Sequence, residues 1–530
     1  MNDPQCTVRD ATILLLRALG LTTIFGNPGS TELPFFRHWP SDFRYILGLQ
    51  EASVVAMADG YAQATRNAAF VNLPSAVGVG HALGNIFTAY RNQTPLVISA
   101  GQQARSMLLT EPYLWATQAT EFPKPYVKWS CEPARAQDVP AALARAYYLA
   151  MQKPCGPTFV SIPVDDWDAG TEPLVSRQVS FEFSPDPQAL QRIAEALNHS
   201  QRPALIVGPS VDRDSAWDEA LALAERLQAA VWASPMSGRA SFPEDHPLFA
   251  GFLPPVRNLL AAKLVGYDTV LVLGAPIFTY HVQSEGSFLP AGVQLFQIID
   301  DPEAAAWAPV GASVIATLRL SLVGLLELVQ HATRPAPVAL VRPPVPDALE
   351  PLPAAFVLDT IRQTMPEDAI IVEEAPSHRN ALHDYLPIRR SQGFYTGASG
   401  GLGYSLPAAV GIALAEPSRR VICLLGDGSS MYSVQGLWTA VQQRLPITFV
   451  ILNNQGYEAL KSFSRMFQTT DFTGVHLPGI DICEIARGYG CQALRVENAV
   501  DLVPALTLAF ANPGPIVVDV IVDQEAVVLY

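Results

Sequence analysis

The chain has 530 residues, 49% of them apolar and only 16% charged, with a net charge of −15. At roughly 100–200 residues per domain, that length predicts about three domains, each large enough for its own core. An acidic chain without a basic stripe excludes a general nucleic-acid role, because phosphate backbones demand clustered lysine and arginine. So sparse a charge also suits a surface partly covered by other subunits.

Six cysteines (Cys6, Cys131, Cys155, Cys423, Cys483 and Cys491) are scattered with no CxxC pair, which argues against a zinc or disulfide framework. The opening MNDPQCTVRD lacks the charged-then-apolar pattern of a signal peptide. No apolar run reaches membrane-spanning length, so the expected setting is a reducing cytoplasm with no membrane partner.

Along the first 180 residues, helix and strand patterns alternate. Thr7 is placed to cap a helix with Ala11, Leu14, Leu15 and Leu19 on its apolar face, closing at Gly20. Strand-like runs follow at 22–25, 68–73, 95–100 and 157–162, with helical stretches at 51–66 and 137–152. Short apolar strands separated by helices predict a parallel sheet covered on both faces. A second unit, roughly 185–332, carries strands at 204–208, 269–274 and 294–299. The proline-dense segment 333–353 reads as a semi-rigid extended connector. A third unit, about 354–530, has strands at 420–426, 447–454 and 515–522, and its alternation resembles that of the first. The expected class is α/β: three doubly wound parallel-sheet domains, at 1–182, 183–340 and 341–530.

Two turns in the third unit carry the chemistry. RVICLLGDGSS is a buried strand ending in a turn before the helical pattern SVQGLWTAVQQ. Ligands of open parallel sheets gather at the carboxyl ends of strands, where Asp427 falls. Gly426 and Gly428 permit close backbone approach, and Ser429 lies where backbone N–H groups meet a helix start. The next strand ends in Asn453-Asn454-Gln455-Gly456. Adjacent parallel strands would set Asp427 beside Asn454. A hard cation such as magnesium or calcium takes oxygen ligands, and Asp427, Asn454 and the Gly456 carbonyl supply a carboxylate, an amide and a carbonyl. A lone GDG could be an ordinary turn. GDGS followed by NN, with 24 residues between Gly428 and Asn453 and a strand before each, is far more specific.

This pairing resembles the signature of thiamine-diphosphate-dependent enzymes. FGNPGSTELPF (25–35), FRYILGLQEASVVAMADGYAQAT (43–65), PVDDWD (163–168) and GGLGYSLPAAVGIALAEP (400–417) extend the resemblance to the pyruvate oxidase/decarboxylase-like branch. Within it the benzoylformate decarboxylases are the nearest pattern. The resemblance implies a pyrimidine-binding, a middle and a diphosphate-binding domain, with thiamine diphosphate held through magnesium or calcium. Because that family builds each site from two chains, it also implies at least a homodimer, a homotetramer being usual.

Glu51 opens an apolar helix, where a carboxylate can simply answer the helix dipole. The resemblance makes it the carboxyl that protonates the aminopyrimidine and so promotes loss of the thiazolium proton. Leu402, between Gly401 and Gly403, could be core; by resemblance it wedges the cofactor into its bent form. Glu374 and Ser377, just after another strand, lie in what is either a polar loop or a cofactor contact. Ser30 is a helix N-cap candidate on sequence grounds. By resemblance it binds a substrate carboxylate, and His281, after GAPIFTY, moves a proton at the substrate. Ser30, Tyr113, Leu114, Thr396, Ala459 and Phe463 are the implied pocket.

One departure stands out. The subfamily carries a second catalytic histidine in the loop after AFVNL, and this chain has Pro74 there. His81 and His378 are candidate substitutes. The implied reaction is non-oxidative decarboxylation of a benzoylformate-like 2-oxo acid to an aldehyde and carbon dioxide. Pro74 favours an alternative, a carboligase or aldehyde lyase acting on aldehydes or acyloins. A non-catalytic cofactor-binding protein is the bland reading, and intact Glu51, Asp427 and Asn454 argue against it.

Overall fold

The computed structural model describes residues 6–469, 473–524 and 529. Thr7 caps the helix Val8–Ala18 through a capping box with Asp10, and Gly20 follows with φ 74°. Leu14, expected on the apolar face, is exposed; Val8, Ala11, Leu15 and Leu16 face the core instead.

Eighteen strands form three parallel six-stranded sheets. The first contains β1 (Thr23–Gly26), β2 (Arg44–Leu47), β3 (Ala69–Leu73), β4 (Leu96–Gln102), β5 (Ser130–Cys131) and β6 (Thr158–Pro163), in the order β2-β1-β3-β4-β6-β5. The second contains β7 (Pro203–Val207), β8 (Ala230–Ala233), β9 (Phe249–Phe252), β10 (Thr269–Leu273), β11 (Gln294–Ile299) and β12 (Ala312–Ile315), ordered β12-β11-β10-β7-β8-β9. The third contains β13 (Ile370–Glu374), β14 (Phe394–Thr396), β15 (Val421–Gly426), β16 (Ile447–Asn453), β17 (Gln492–Val496) and β18 (Ile516–Ile521), ordered β14-β13-β15-β16-β18-β17. Central strands such as β3, β10 and β16 are buried along their whole length, as expected of parallel sheets sheathed by helices.

The first and third sheets therefore repeat one strand order. Their matching helices, Glu51–Thr65 after β2 and Ser405–Ala415 after β14, pack on each other. The crossing is backbone on backbone: a Cβ on Gly60 would overlap the Ala408 carbonyl, and one on Gly411 would overlap that of Met57. Residues of both sheets' coverings share a single core, including Val54, Val55, Ala409, Val410, Cys423 and Phe449.

The middle unit is pinned to this pair by a buried polar junction. Arg239 pairs with Asp212 at 2.8 Å and donates to Gln63 Oε1 at 3.1 Å. Gln63 in turn meets Asp59 and Tyr404. Residues 335–350 have no regular structure and are largely exposed, in keeping with an extended connector. The connector ends earlier than the sequence suggested. Leu352 is fully buried and bridges Val522, so 352–353 belong to the third unit.

Candidate active site

The segments after β1, β2, β3 and β4 present one group of polar residues. Gln50, in extended conformation, accepts from the Ser53 N–H and starts the following helix, which fixes Glu51 as its first residue. Glu51 is buried. One carboxylate oxygen accepts from Asn27 Nδ2 at 3.1 Å and the other lies 3.0 Å from His81 Nδ1. Both partners belong to the first unit.

Ser30 is exposed and caps no helix, because 30–38 forms successive turns. Pro74 stands beside this loop, with its Cβ 2.9 Å from where a Cβ on Gly29 would lie. The next residue, Ser75, donates to the Leu114 carbonyl at 2.6 Å, and Gln103 donates to that of Tyr113 at 2.8 Å. The loops carrying Ser30, Pro74 and Leu114 thus adjoin. Tyr113 is 89% exposed in the single chain.

A second group gathers at the ends of β13, β15 and β16. Parallel pairing sets Gly426 opposite Leu452, so the chain leaves the two strands side by side at Asp427 and Asn454. Asp427 opens the one-turn helix Asp427–Met431, which also contains Gly428 and the buried Ser429. Burial raises the Asp427 carboxyl to about 6, opposed by the N–H groups of Gly428 and Gly456. Asn453 is occupied, donating to Asp519 at 2.9 Å. Asn454 Oδ1 is buried and has no hydrogen-bond partner among the described residues. Gly428 does not open space for a ligand at its α-carbon, since the Tyr457 ring fills that position.

From Gly456 the chain enters the helix Glu458–Met466. Ser377 Oγ accepts from the Ala459 N–H at 3.0 Å, and the Phe463 ring meets His281 edge-on with centroids 5.1 Å apart. His281 is an exposed residue of the middle unit. One short helix therefore links the Asn454 turn to Ser377 and His281. Thr396 is buried, and its hydroxyl accepts from Arg379, which pairs with the buried Glu373 at 2.8 Å.

Glu374 has protein partners for its carboxylate. Its carboxylate accepts from the N–H groups of Gly403, Tyr404 and Ser405 at 2.6–2.8 Å, so the side chain is spent on the loop before the helix Ser405–Ala415. Burial outweighs those bonds and lifts this carboxyl to about 7. What Glu374 holds is the turn carrying Gly401 and Leu402. Gly400 and Gly403 sit at φ 73° and 92°, a region that favours glycine. Leu402 is half-buried and belongs to none of the hydrophobic cores, unlike a structural leucine. His378 is buried, and burial depresses its ring to about 4, which leaves it neutral near pH 7 and shielded from solvent. That environment does not suit the acid–base role weighed for it.

The thiamine pyrophosphate enzyme domains match in order: the N-terminal TPP binding domain over residues 6–121, the central domain over 190–325 and the C-terminal TPP binding domain over 375–520. The chain is 45% identical over 519 residues to the benzoylformate decarboxylase of Pseudomonas aeruginosa, covering 97% of this chain and 98% of that one. The chain belongs to the thiamine pyrophosphate enzyme family. Among solved structures, the benzoylformate decarboxylase of Polynucleobacter necessarius superposes with a TM-score of 0.96 at 43% identity, covering 98% of this chain and 99% of that one. The thiamine diphosphate-dependent 4-hydroxybenzoylformate decarboxylase of Rhodococcus jostii gives 0.96 at 40% identity, covering 98% and 100%.

As a thiamine pyrophosphate enzyme, the chain has donors that fit the group its family binds. A buried amide oxygen without a donor costs about 1–3 kcal/mol unless something answers it. A divalent cation bound there would answer Asn454 Oδ1 and the Asp427 carboxylate together, both being oxygen donors of the kind a hard cation takes. Sequence reasoning passed over Asn27, although it lies in the quoted FGNPGS motif, and the Arg379–Glu373 pair. An amide in a glycine-proline turn carries no sign that it faces a distant carboxylate.

Proposed function

We propose that this chain catalyses the thiamine-diphosphate-dependent, non-oxidative decarboxylation of a benzoylformate-like 2-oxo acid, releasing an aldehyde and carbon dioxide. The observation that carries the reading is the unanswered Asn454 Oδ1 beside Asp427, joined through the helix Glu458–Met466 to His281. Likeness to two named decarboxylases over nearly the whole chain supports it.

In this reading Asp427, Asn454 and the Gly456 carbonyl hold magnesium, or calcium in its place. Gly428, Ser429 and Ser377 receive the diphosphate, and Gly401 and Leu402 shape the cofactor. Bound thiamine diphosphate supplies the electron sink for the bond to the departing carboxylate. Glu51 gives and retrieves the proton that activates the cofactor. It sits at the first position of its helix, and its burial limits competition from water. Ser30 hydrogen-bonds the substrate carboxylate and His281 moves the product's proton. Tyr113, Leu114, Thr396, Ala459 and Phe463 enclose the acyl group. Among the described residues the hydrogen bonds to the Glu51 carboxylate come from the first unit, and the proposed assembly, as the family resemblance implies, has two chains completing each site within a homotetramer.

Pro74 supports a second reading. It stands beside the Ser30 loop and can donate no proton there. Slow protonation would favour addition to a second aldehyde, making the enzyme a carboligase or aldehyde lyase. Product analysis separates the two. Holoenzyme given benzoylformate should release benzaldehyde and carbon dioxide; benzoin formed from benzaldehyde, with no carbon dioxide from any of a panel of 2-oxo acids, would overturn the decarboxylase reading.

A further inference from the structure

His81 was weighed above as a stand-in for the histidine missing at Pro74. The fold gives it a different place. Pro74 is the N-cap of the helix Ser75–Asn92, and His81 lies seven residues further on, two turns along the same face. At 1.5 Å per residue, that moves its backbone about 10 Å from the proline. The ring reaches across to the neighbouring helix and stops with Nδ1 3.0 Å from Glu51 Oε2.

The two oxygens of Glu51 are treated unequally. Oε1 is held by Asn27, an amide that cannot titrate. Oε2 meets an imidazole whose side chain is 57% exposed, while the carboxylate side chain itself is 9% exposed. Among the described residues His81 is therefore the one titratable group in hydrogen-bond contact with Glu51, and the link between a buried carboxyl and water.

We propose that His81 is a positioning residue for cofactor activation: it holds Glu51 through Oε2 and exchanges a proton with it. The inference rests on the reading of Glu51 as the activating carboxyl. The protons balance within the pair. When Glu51 gives up its proton, the Nδ1–H of a charged imidazole refills Oε2 and leaves a neutral ring. When Glu51 takes a proton back, the same transfer runs in reverse, and a full cycle consumes none. The contact of His81 is with Glu51, and Pro74 keeps the consequence assigned to it above.

The test uses holoenzyme reconstituted with thiamine diphosphate and magnesium, and follows exchange of the thiazolium proton with deuterium oxide by quenched-flow NMR. His81→Ala should slow exchange at least about tenfold, less than the roughly 10²–10⁴-fold of a full general acid–base group because Glu51 remains. Cofactor content should stay at the wild-type level, and added imidazole should restore part of the rate through the exposed opening. His81→Asn, which keeps a polar group near Nδ1 but cannot titrate, should be no faster than His81→Ala. Exchange at the wild-type rate in either variant overturns the proposal. Glu51→Gln is measured alongside. If it exchanges slowly while His81→Ala does not, the inference about His81 fails alone. If Glu51→Gln exchanges at the wild-type rate, the activation reading fails and takes the inference with it.

Discussion

The first and third sheets share one strand order, yet the loops at corresponding strand ends do opposite work. After β15 the chain turns through Gly426-Asp427-Gly428, and after β16 it leaves Asn454 Oδ1 unanswered. After β3, the strand matching β15, it turns at Pro74 straight into a long helix and offers no ligand. After β1, where β13 ends in loop-holding Glu374, the chain instead supplies Asn27 to orient Glu51. The repeat thus sets up two equivalent edges, and the residues one or two positions past each strand decide what the edge can bind. In the proposed reading the third takes a cation and phosphates, and the first carries one proton-carrying carboxyl.

Breaking the third edge should have the largest effect. Asp427→Ala removes the carboxylate proposed to hold the cation, and we expect activity to fall below detection. Cofactor at a hundred times its dissociation constant stabilises a folded protein by about 2.7 kcal/mol. Thermal melts with thiamine diphosphate and magnesium should lose that upward shift in the variant, and a retained shift would refute the metal assignment.

Breaking the first edge should cost less and in a different currency. Glu51→Gln is expected to lower kcat by about 10²–10⁴, the range for a general acid–base group, with cofactor affinity changed little. Isothermal titration of cofactor into the variant checks the second half of that statement. If affinity collapsed with rate, the two edges would not be functionally separate.

A third test acts on the join between the repeats. In Gly411→Ala the new methyl would meet the Met57 backbone carbonyl, which cannot turn aside as a side chain can. Overpacking of this kind costs about 1–3 kcal/mol where side chains can yield. Here we expect at least the upper figure, read as a lower midpoint of urea unfolding.

The smallest effect concerns Glu374. Its carboxyl holds protons up to about pH 7 when folded, above the ordinary carboxyl range. The folded chain therefore binds more protons between that range and pH 7. Stability from this group is full below the range and is lost as pH rises through about 7. Amide exchange at 403–405 should quicken over that interval beyond its intrinsic pH dependence. Glu374→Gln should abolish this extra dependence, and it should weaken the loop at all pH values by about 1–3 kcal/mol, since its amide opposes one N–H donor.

Much of this was legible in the sequence because it rests on local pattern. Buried parallel strands read as apolar runs, and GDGS and NN sit at strand ends wherever the sheet places them. The place of Glu51 at the head of an apolar helix was visible, but only the family resemblance gave it a role. Other features depended on long-range packing. Nothing local distinguishes Glu374 from a ligand until the N–H groups of residues 403–405 arrive from another element. Leu14 misread the helix phase, because which face meets the sheet is settled by tertiary contact. His81 had a visible residue type but an invisible partner, thirty positions away on another helix.

The shared core of the first and third units has one more consequence. Their union depends on the Gly60–Ala408 and Met57–Gly411 crossing and the apolar cluster around it, more than on the peptide bonds of the exposed stretch 335–350. A protease that nicked this stretch would be expected to give two fragments on a denaturing gel and one particle in native buffer. The order in which the three units are strung together is, in that sense, a genetic convenience, and chains split or permuted within 335–350 are the natural place to begin redesign.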